Sequence, residues 1–166
     1  ELLIDGISKF GRRPDLVKDL CRLNAVDGYL VEAVEYCSES IKISPTFPDH
    51  YVFLMQALYD QKENERAEKT AVDAAKKFAD SEFVQWAAGT VFLKKKNYPV
   101  AARYFQVALK AKAESGRAHF GLAQALFENG QEAEALDHFF KACKTDASTQ
   151  ETFHAYTGRM KQKNSG

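Results

Sequence analysis

The sequence has no excess of charge of either sign. Its 166 residues include 23 basic and 23 acidic side chains, which give a formal net charge of zero and a pI near 7.1. A protein that binds nucleic acid through phosphate contacts usually presents a strongly basic face or tail. We therefore expect no nucleic-acid partner.

The sequence also lacks a long hydrophobic run. A membrane-spanning helix needs about 18 or more consecutive apolar residues, and no window of this chain approaches that length. No charged segment followed by an apolar one opens the chain, as it would in a secretory signal peptide. We expect no membrane insertion and a cytoplasmic location. Because the chain starts at Glu1 rather than at Met, a removed signal segment is also consistent with the sequence.

Cysteine is scarce, and its three copies stand far apart in the chain. Cys21, Cys37 and Cys143 form an odd set without a CxxC pair. Disulfide frameworks usually use an even number of cysteines, and thiolate metal sites use closely spaced ones. We expect buried thiols without disulfide bonds in a reducing compartment, because a free cysteine packs as a small hydrophobic residue.

Motifs that support catalysis or metal binding are missing as well. The chain has no GxSxG elbow, HExxH pair, phosphate-binding glycine loop or GxGxxG turn. Its four histidines are scattered, at positions 50, 119, 138 and 154. We expect no enzyme activity, no cofactor and no metal site.

The sequence does contain a repeat with a period of 34 residues. Alanine recurs at positions 33, 67, 101 and 135. Four residues after each alanine stands an apolar side chain, and twelve residues before it stands a compact or flexible one, namely Cys21, Met55, Gly89 or Ala123. Four blocks follow from this register, 14–47, 48–81, 82–115 and 116–149.

Each block is predicted to hold two helices. Apolar residues recur at spacings of three and four, which is the helical period. Turn residues such as Asp27-Gly28 and Asn129-Gly130 divide the blocks, since glycine commonly follows a helix end. Compact side chains let two antiparallel helices approach closely where they cross, and large ones fill the space between pairs. The predicted fold class is all-α, an α-solenoid of antiparallel helix pairs.

The pattern resembles the tetratricopeptide repeat (TPR), whose 34-residue unit carries a Trp…Leu-Gly…Tyr stretch, then Ala…Phe…Ala, then Pro. Residues 32–45 look like a second helix of that family with its closing Pro45, and residues 121–142 look like a nearly whole repeat. The chain departs from the family at two columns. The tryptophan column holds Val17, Tyr51, Gln85 and His119, and the proline column holds Ala79, Ala113 and Ala147 after Pro45.

Both ends of the chain fit the same register. Residues 1–13, with Leu2, Leu3, Ile7 and Phe10, are predicted to be the end of a preceding helix or an N-terminal extension. Residues 150–166 are predicted to form a capping helix with a polar tail, because solenoids need a terminal helix that covers the last apolar face. We expect the chain to be a segment of a longer array.

The resemblance implies a concave groove lined by the first helix of each pair. The inward positions are charged in the first block and aromatic later, and they include Trp86, the only tryptophan. Binding anchors are commonly Trp, Tyr and Arg. We predict a non-enzymatic scaffold that binds a peptide or helix of a partner protein. The predicted groove residues are Lys18, Arg22, Gln56, Tyr59, Phe83, Trp86, Thr90, Leu93, Arg117, Phe120, Gln124 and Phe127.

Several other interpretations stay open at this point. The aromatic rings could pack between first helices or against the terminal segments instead of lining a groove. The chain could also be a structural or self-associating segment of a larger TPR protein, using outer residues such as Tyr36, Tyr104 and Phe140, or a secretion-type chaperone for an apolar client segment. A carboxylate clamp of the kind found in chaperone-docking family members is not expected, because the asparagines that it needs are missing.

Overall fold

The computed structural model describes residues 13–145, 154–156 and 158, and this part of the chain is helical without any strand. The all-α prediction is therefore confirmed. The predicted helix end within residues 1–12 and most of the predicted cap at 150–166 lie outside the described residues. The helices are α1 (Pro14–Asp27), α2 (Leu30–Ile43), α3 (Pro48–Asp60), α4 (Asn64–Lys77), α5 (Glu82–Lys94), α6 (Tyr98–Ala111), α7 (Gly116–Glu128) and α8 (Glu132–Thr145).

Successive helices pack against each other along the whole series from α1 to α8. In addition, the first helices α1, α3, α5 and α7 each contact the next first helix. Among the described helices, no second helix makes a comparably extensive contact with the next second helix. The layer of first helices is therefore the tighter one, which places it on the inner side of a curved array and places α2, α4, α6 and α8 on the outer side.

The compact columns lie where the helices of a pair cross. The four alanines at 33, 67, 101 and 135 are fully buried. The clearest crossing involves Phe105 on α6, whose ring lies between Gly89 on α5 and Gly121 on α7. A Cβ atom added at Gly89 would lie 2.8 Å from the Phe105 ring, and one at Gly121 would lie closer still. Both glycines are thus needed for the close approach of three helices around one ring.

The turns within the four pairs share one backbone conformation. Gly28, Lys62, Lys96 and Gly130 stand 34 residues apart and have φ values of 81°, 66°, 61° and 83°. Non-glycine residues rarely adopt a positive φ, so lysine at 62 and 96 is unexpected. The repeat geometry therefore imposes a left-handed backbone conformation at this position even where the residue is not glycine.

Polar side chains in the family's tryptophan column bind the end of the preceding helix pair. The three polar residues of this column each donate a hydrogen bond to the backbone carbonyl six residues earlier in the chain, so these accepting residues are also 34 residues apart. Gln85 reaches two further carbonyls, those of Ala75 and Phe78. These carbonyls lie in or just after the last turn of the preceding second helix, so the bonds join one pair to the next. The donor and acceptor pairs are Tyr51 with Pro45, Gln85 with Ala79, and His119 with Ala113.

The prediction of unbonded cysteines is wrong for two of the three. Cys21 on α1 and Cys37 on α2 form a disulfide, with their Cα atoms 4.5 Å apart and both side chains fully buried. The bond lies at the same crossing that Gly89 and Phe105 occupy two pairs later. The spacing rule missed it because the two cysteines stand on different helices of one hairpin. Disulfides are typical of oxidising compartments, so the argument from cysteine to a reducing compartment no longer holds.

None of the helices in the described ranges combines the length and the apolar character that crossing a membrane requires.

Candidate functional site

A cavity lies between the first helices α3 and α5. Its volume is about 110 Å³, whereas small-molecule sites typically occupy roughly 300–1,000 Å³. The space therefore suits a single side chain of a partner better than a whole ligand. Four predicted groove residues meet here, namely Gln56, Tyr59, Trp86 and Thr90, together with Val52, Met55, Ala87, Val91 and Lys94.

The Trp86 ring forms one wall of the cavity and is part of a stack of three planar groups. The rings of Trp86 and Phe83 lie 5.8 Å apart and are inclined by 10°. The guanidinium carbon of Arg117 lies 4.6 Å from the centre of the Phe83 ring and 5.2 Å from that of Trp86. Such cation–π contacts are attractive, so three predicted groove residues, one of them on α7, form one continuous surface.

Glu82 fixes the position of Arg117 within this stack. Its carboxylate accepts two hydrogen bonds from the guanidinium, at 2.8 and 2.5 Å, and a third from the Ser115 hydroxyl. Burial by itself would raise the pKa of Glu82, but the bonds from Arg117 and Ser115 outweigh it and lower the pKa below its usual value. The carboxylate therefore stays ionised, and Arg117 stays beside Phe83 and Trp86.

A second cation, Lys94, lines the cavity itself. The Lys94 ammonium lies 4.6 Å from the centre of the Tyr59 ring and 3.4 Å from a carboxylate oxygen of Asp60. From the sequence, the run Lys94-Lys95-Lys96 at the turn between two helices is predicted to be solvated, with contact to an acidic partner as the alternative. The signal that could have identified Lys94 is its place on α5, one helical turn after Thr90 and on the same face.

The remaining predicted groove residues do not line this cavity. Lys18 lies over the ring of Phe47, 3.5 Å from its centre, and Arg22 is exposed on α1. Leu93 is half-buried and packs against the core. Three residues on α7 point to other aromatic partners. Phe120 packs edge-on against Phe139, Phe127 packs edge-on against Tyr156, and the Gln124 amide donates a hydrogen bond to the Tyr156 hydroxyl.

Phe127 is buried against the C-terminal segment. Its side chain is 2% exposed and its ring centre lies 4.9 Å from that of Tyr156. Tyr156 comes from the C-terminal segment and also contacts Phe139. At this position the alternative interpretation applies, in which a ring packs against a terminal segment instead of facing a ligand.

The hydrogen bond between Ser40 and His50 does not provide an open catalytic group. Ser40 Oγ and His50 Nδ1 lie 2.9 Å apart, but Ser40 is 1% exposed and a substrate could not reach it. Within the described ranges, no three His, Cys, Asp or Glu side chains converge as metal ligands would. Neither feature provides a nucleophile with an accessible base.

His119 and His138 form a hydrogen-bonded pair on the outer side, between α7 and α8. Their Nδ1 atoms are 2.9 Å apart. We assign the proton between them to His138, because His119 donates its Nε2 proton to the Ala113 carbonyl and accepts at Nδ1. Burial lowers the pKa of both imidazoles, and the neighbouring His119 lowers that of His138 further. Two protons cannot both occupy the short space between the Nδ1 atoms, so the doubly charged pair would separate.

We expect the protein to lose stability as the pH falls below about 6.5, the usual pKa of histidine. The unfolded chain binds protons there while the native pair resists them, so the free energy of unfolding decreases until the pH has passed the lowered pKa values of the folded state. The matched control is His119→Gln/His138→Tyr, because Gln85 and Tyr104 hold the equivalent positions one pair earlier. Thermal unfolding at pH 7.5 and 5.5 should show a smaller loss of stability in the control than in wild type. The control still loses some stability, because burial also lowers the pKa of His50. Equal losses in both proteins would contradict the assignment.

Comparison with known proteins agrees with this architecture. Residues 87–150 match the family model of the tetratricopeptide repeat. A thermophilic TPR protein of Thermus thermophilus is similar in structure, with 19% identity over 94% of this chain and 87% of that one and a TM-score of 0.79. MamA is 16% identical over 90% of this chain and 87% of that one, with a TM-score of 0.74. MamA from Desulfovibrio magneticus RS-1 is 19% identical over 89% of this chain and 85% of that one, with a TM-score of 0.72. No curated protein sequence matches the chain. At these identities, the structural likeness shows the fold.

Proposed function

We propose, because the chain carries helical repeats of the tetratricopeptide repeat family, that it is a non-enzymatic scaffold whose cavity between α3 and α5 binds a segment of a partner protein. Proteins of this fold generally serve as protein–protein interaction scaffolds. We take residues 14–47, 48–81, 82–115 and 116–149 as the four repeat units. The cavity then lies on the inner side, between the first helices of the second and third units.

The observation that carries this proposal is the pair of aromatic walls, Tyr59 and Trp86, around a space the size of one side chain. Aromatic anchors in desolvated pockets supply most of the binding energy of many interfaces. Here the two rings have cations beside them, Lys94 and Arg117, each partly exposed and each already beside a carboxylate. We therefore expect the partner to insert an apolar side chain between the rings, with a neutral or acidic residue next to it in the sequence.

Replacing Trp86 with alanine should weaken binding of such a segment by about 30-fold or more, which corresponds to a contribution of about 2 kcal/mol at an interface hot spot. Peptides would first be selected from a random display library on the wild-type protein. Their dissociation constants would then be measured for wild type and Trp86→Ala. Because Trp86 is the only tryptophan, its fluorescence should also change when a peptide fills the cavity.

The matched control is Phe140→Ala, which removes another aromatic ring, 57% exposed on α8 and remote from the cavity. This variant should bind the selected peptides as wild type does. Circular dichroism would verify that both variants remain helical. Selected peptides that bind Trp86→Ala as tightly as wild type, without any change in tryptophan fluorescence, would contradict the proposed site.

A further inference from the structure

The turn between α1 and α2 exposes three large apolar side chains. Val26, Tyr29 and Val31 are 69%, 60% and 70% exposed, and we call them the apolar turn. Water contact with so much apolar surface is unfavourable and often marks an interaction site. The equivalent positions of the other three pairs are mostly polar or charged: Asp60, Glu63 and Glu65, then Lys94, Asn97 and Pro99, then Glu128, Gln131 and Ala133.

Acidic side chains flank the apolar turn. Asp27 and Glu32 are both exposed beside it. Residues 23–41 contain four acidic side chains and neither lysine nor arginine. The nearest basic residue before this stretch is Arg22, one helical turn before Val26. A surface that covers the apolar turn should therefore be apolar with basic groups at its edge.

Such a surface lies on the outer side of the same chain, between α4 and α6. A cleft of about 380 Å³ is lined there by Val100, Tyr104 and Val107 of α6 and by the end of α4. Lys76 and Arg103 also line this outer cleft, and both are exposed. The equivalent cleft one pair later has a different character, because His119, Glu114, Lys141 and Lys144 line it instead.

We propose that the apolar turn of one chain docks into the outer cleft of a second copy of this chain. The protruding surface is apolar and acidic, and the recessed surface is apolar and basic, so one copy carries both halves of a complementary contact. The packing of α1 against α2, joined by the disulfide, holds the turn in place on its own helix pair. The contact joins two different surfaces, so repeating it from copy to copy gives a head-to-tail chain, or a ring where the rotation closes. It does not involve the cavity between α3 and α5.

The test measures mass in solution with two complementary variants of the full chain. The turn variant is Tyr29→Glu/Val31→Glu, and the cleft variant is Lys76→Glu/Arg103→Glu. Sedimentation velocity from low micromolar to millimolar concentration should show wild-type assemblies that grow with concentration and shrink with added salt, which screens exposed charges. Each variant alone should lose every species larger than the monomer. An equimolar mixture of the two should form a 1:1 dimer and nothing larger, because just one intact turn and one intact cleft remain.

Two controls separate this contact from a general effect of added charge and from binding at the inner cavity. Gln131→Glu/Ala133→Glu places the same two charges at the equivalent turn of the last pair and should assemble as wild type does. Trp86→Ala, which tests the inner cavity, should also assemble normally, so the two sites fail independently. A wild-type mass that is constant at every concentration would overturn the proposal. A mixture of the turn and cleft variants that stays monomeric would also overturn it. The same holds if wild type forms only a dimer and the turn variant forms that dimer as well.

Discussion

Replacing Phe105 with alanine should lower the free energy of unfolding by about 3–5 kcal/mol, the usual effect of truncating a fully buried phenylalanine. The Phe105 side chain has no exposed surface, and its ring lies between Gly89 and Gly121 on the two flanking first helices. Neither glycine has a side chain that could fill the space, so the cavity would remain open. Urea unfolding followed by circular dichroism measures the change.

Two further variants make the test specific. Gly121→Ala should destabilise by about 1–3 kcal/mol, because the added methyl group would overlap the Phe105 ring, and a fully packed ring has no space to move. Combined with Phe105→Leu, the glycine replacement should do less damage than the sum of the single effects, since the smaller side chain makes room. Phe140→Ala, at an exposed position, should change stability by less than about 0.5 kcal/mol. If Phe105→Ala were as mild as Phe140→Ala, the three-helix contact would not exist as described.

The register of the helix pairs could be predicted because it depends on side-chain volume at fixed spacing. The column that contains Gly89 and the column that contains Phe105 meet at the crossing of α5 and α6, and the same two columns form the disulfide between α1 and α2. In the sequence these columns pair a large residue with a small one at Met55 and Ala71, at Gly89 and Phe105, and at Ala123 and Phe139. Size is visible in a sequence, so the compact columns identified the crossings.

Other features depend on contacts that a single column does not reveal. The replacement of the family's tryptophan by Gln85 looks like a departure from the pattern in the sequence. In the structure the amide of Gln85 binds three carbonyls at the end of the preceding second helix. A hydrogen bond between distant positions requires both geometry and direction, and neither can be inferred from residue type.

The candidate site shows the same division. Tyr59 and Trp86 could be assigned to one surface because both stand at inward-facing positions of neighbouring first helices. The fate of Phe127 could not be predicted, because it depends on Tyr156, which packs against it from the C-terminal segment. The role of Lys94 was missed because a run of three lysines is usually solvated, whereas here the first of them lies over the Tyr59 ring.

Removing the disulfide should lower the free energy of unfolding by about 3 kcal/mol and the melting temperature by about 6–12 °C. The bond closes a loop with a sequence separation of 16 residues, and such a link restricts the unfolded chain. Cys21→Ala/Cys37→Ala removes both the bond and part of the packing. Cys21→Met/Cys37→Ala introduces the pair that the chain uses at positions 55 and 71, so it restores volume without the bond.

The difference between these two variants measures packing, and the loss that remains in the Met/Ala variant measures the covalent link. Cys143→Ala, which leaves the disulfide intact, is the control and should change stability far less. Denatured protein that has not been reduced should react with a thiol reagent at one position per chain, Cys143. Three reactive thiols, or a Met/Ala variant as stable as wild type, would mean that α1 and α2 stay together through packing alone. The exposed apolar turn that connects them would then rest on ordinary helix contacts, without a covalent anchor at the crossing.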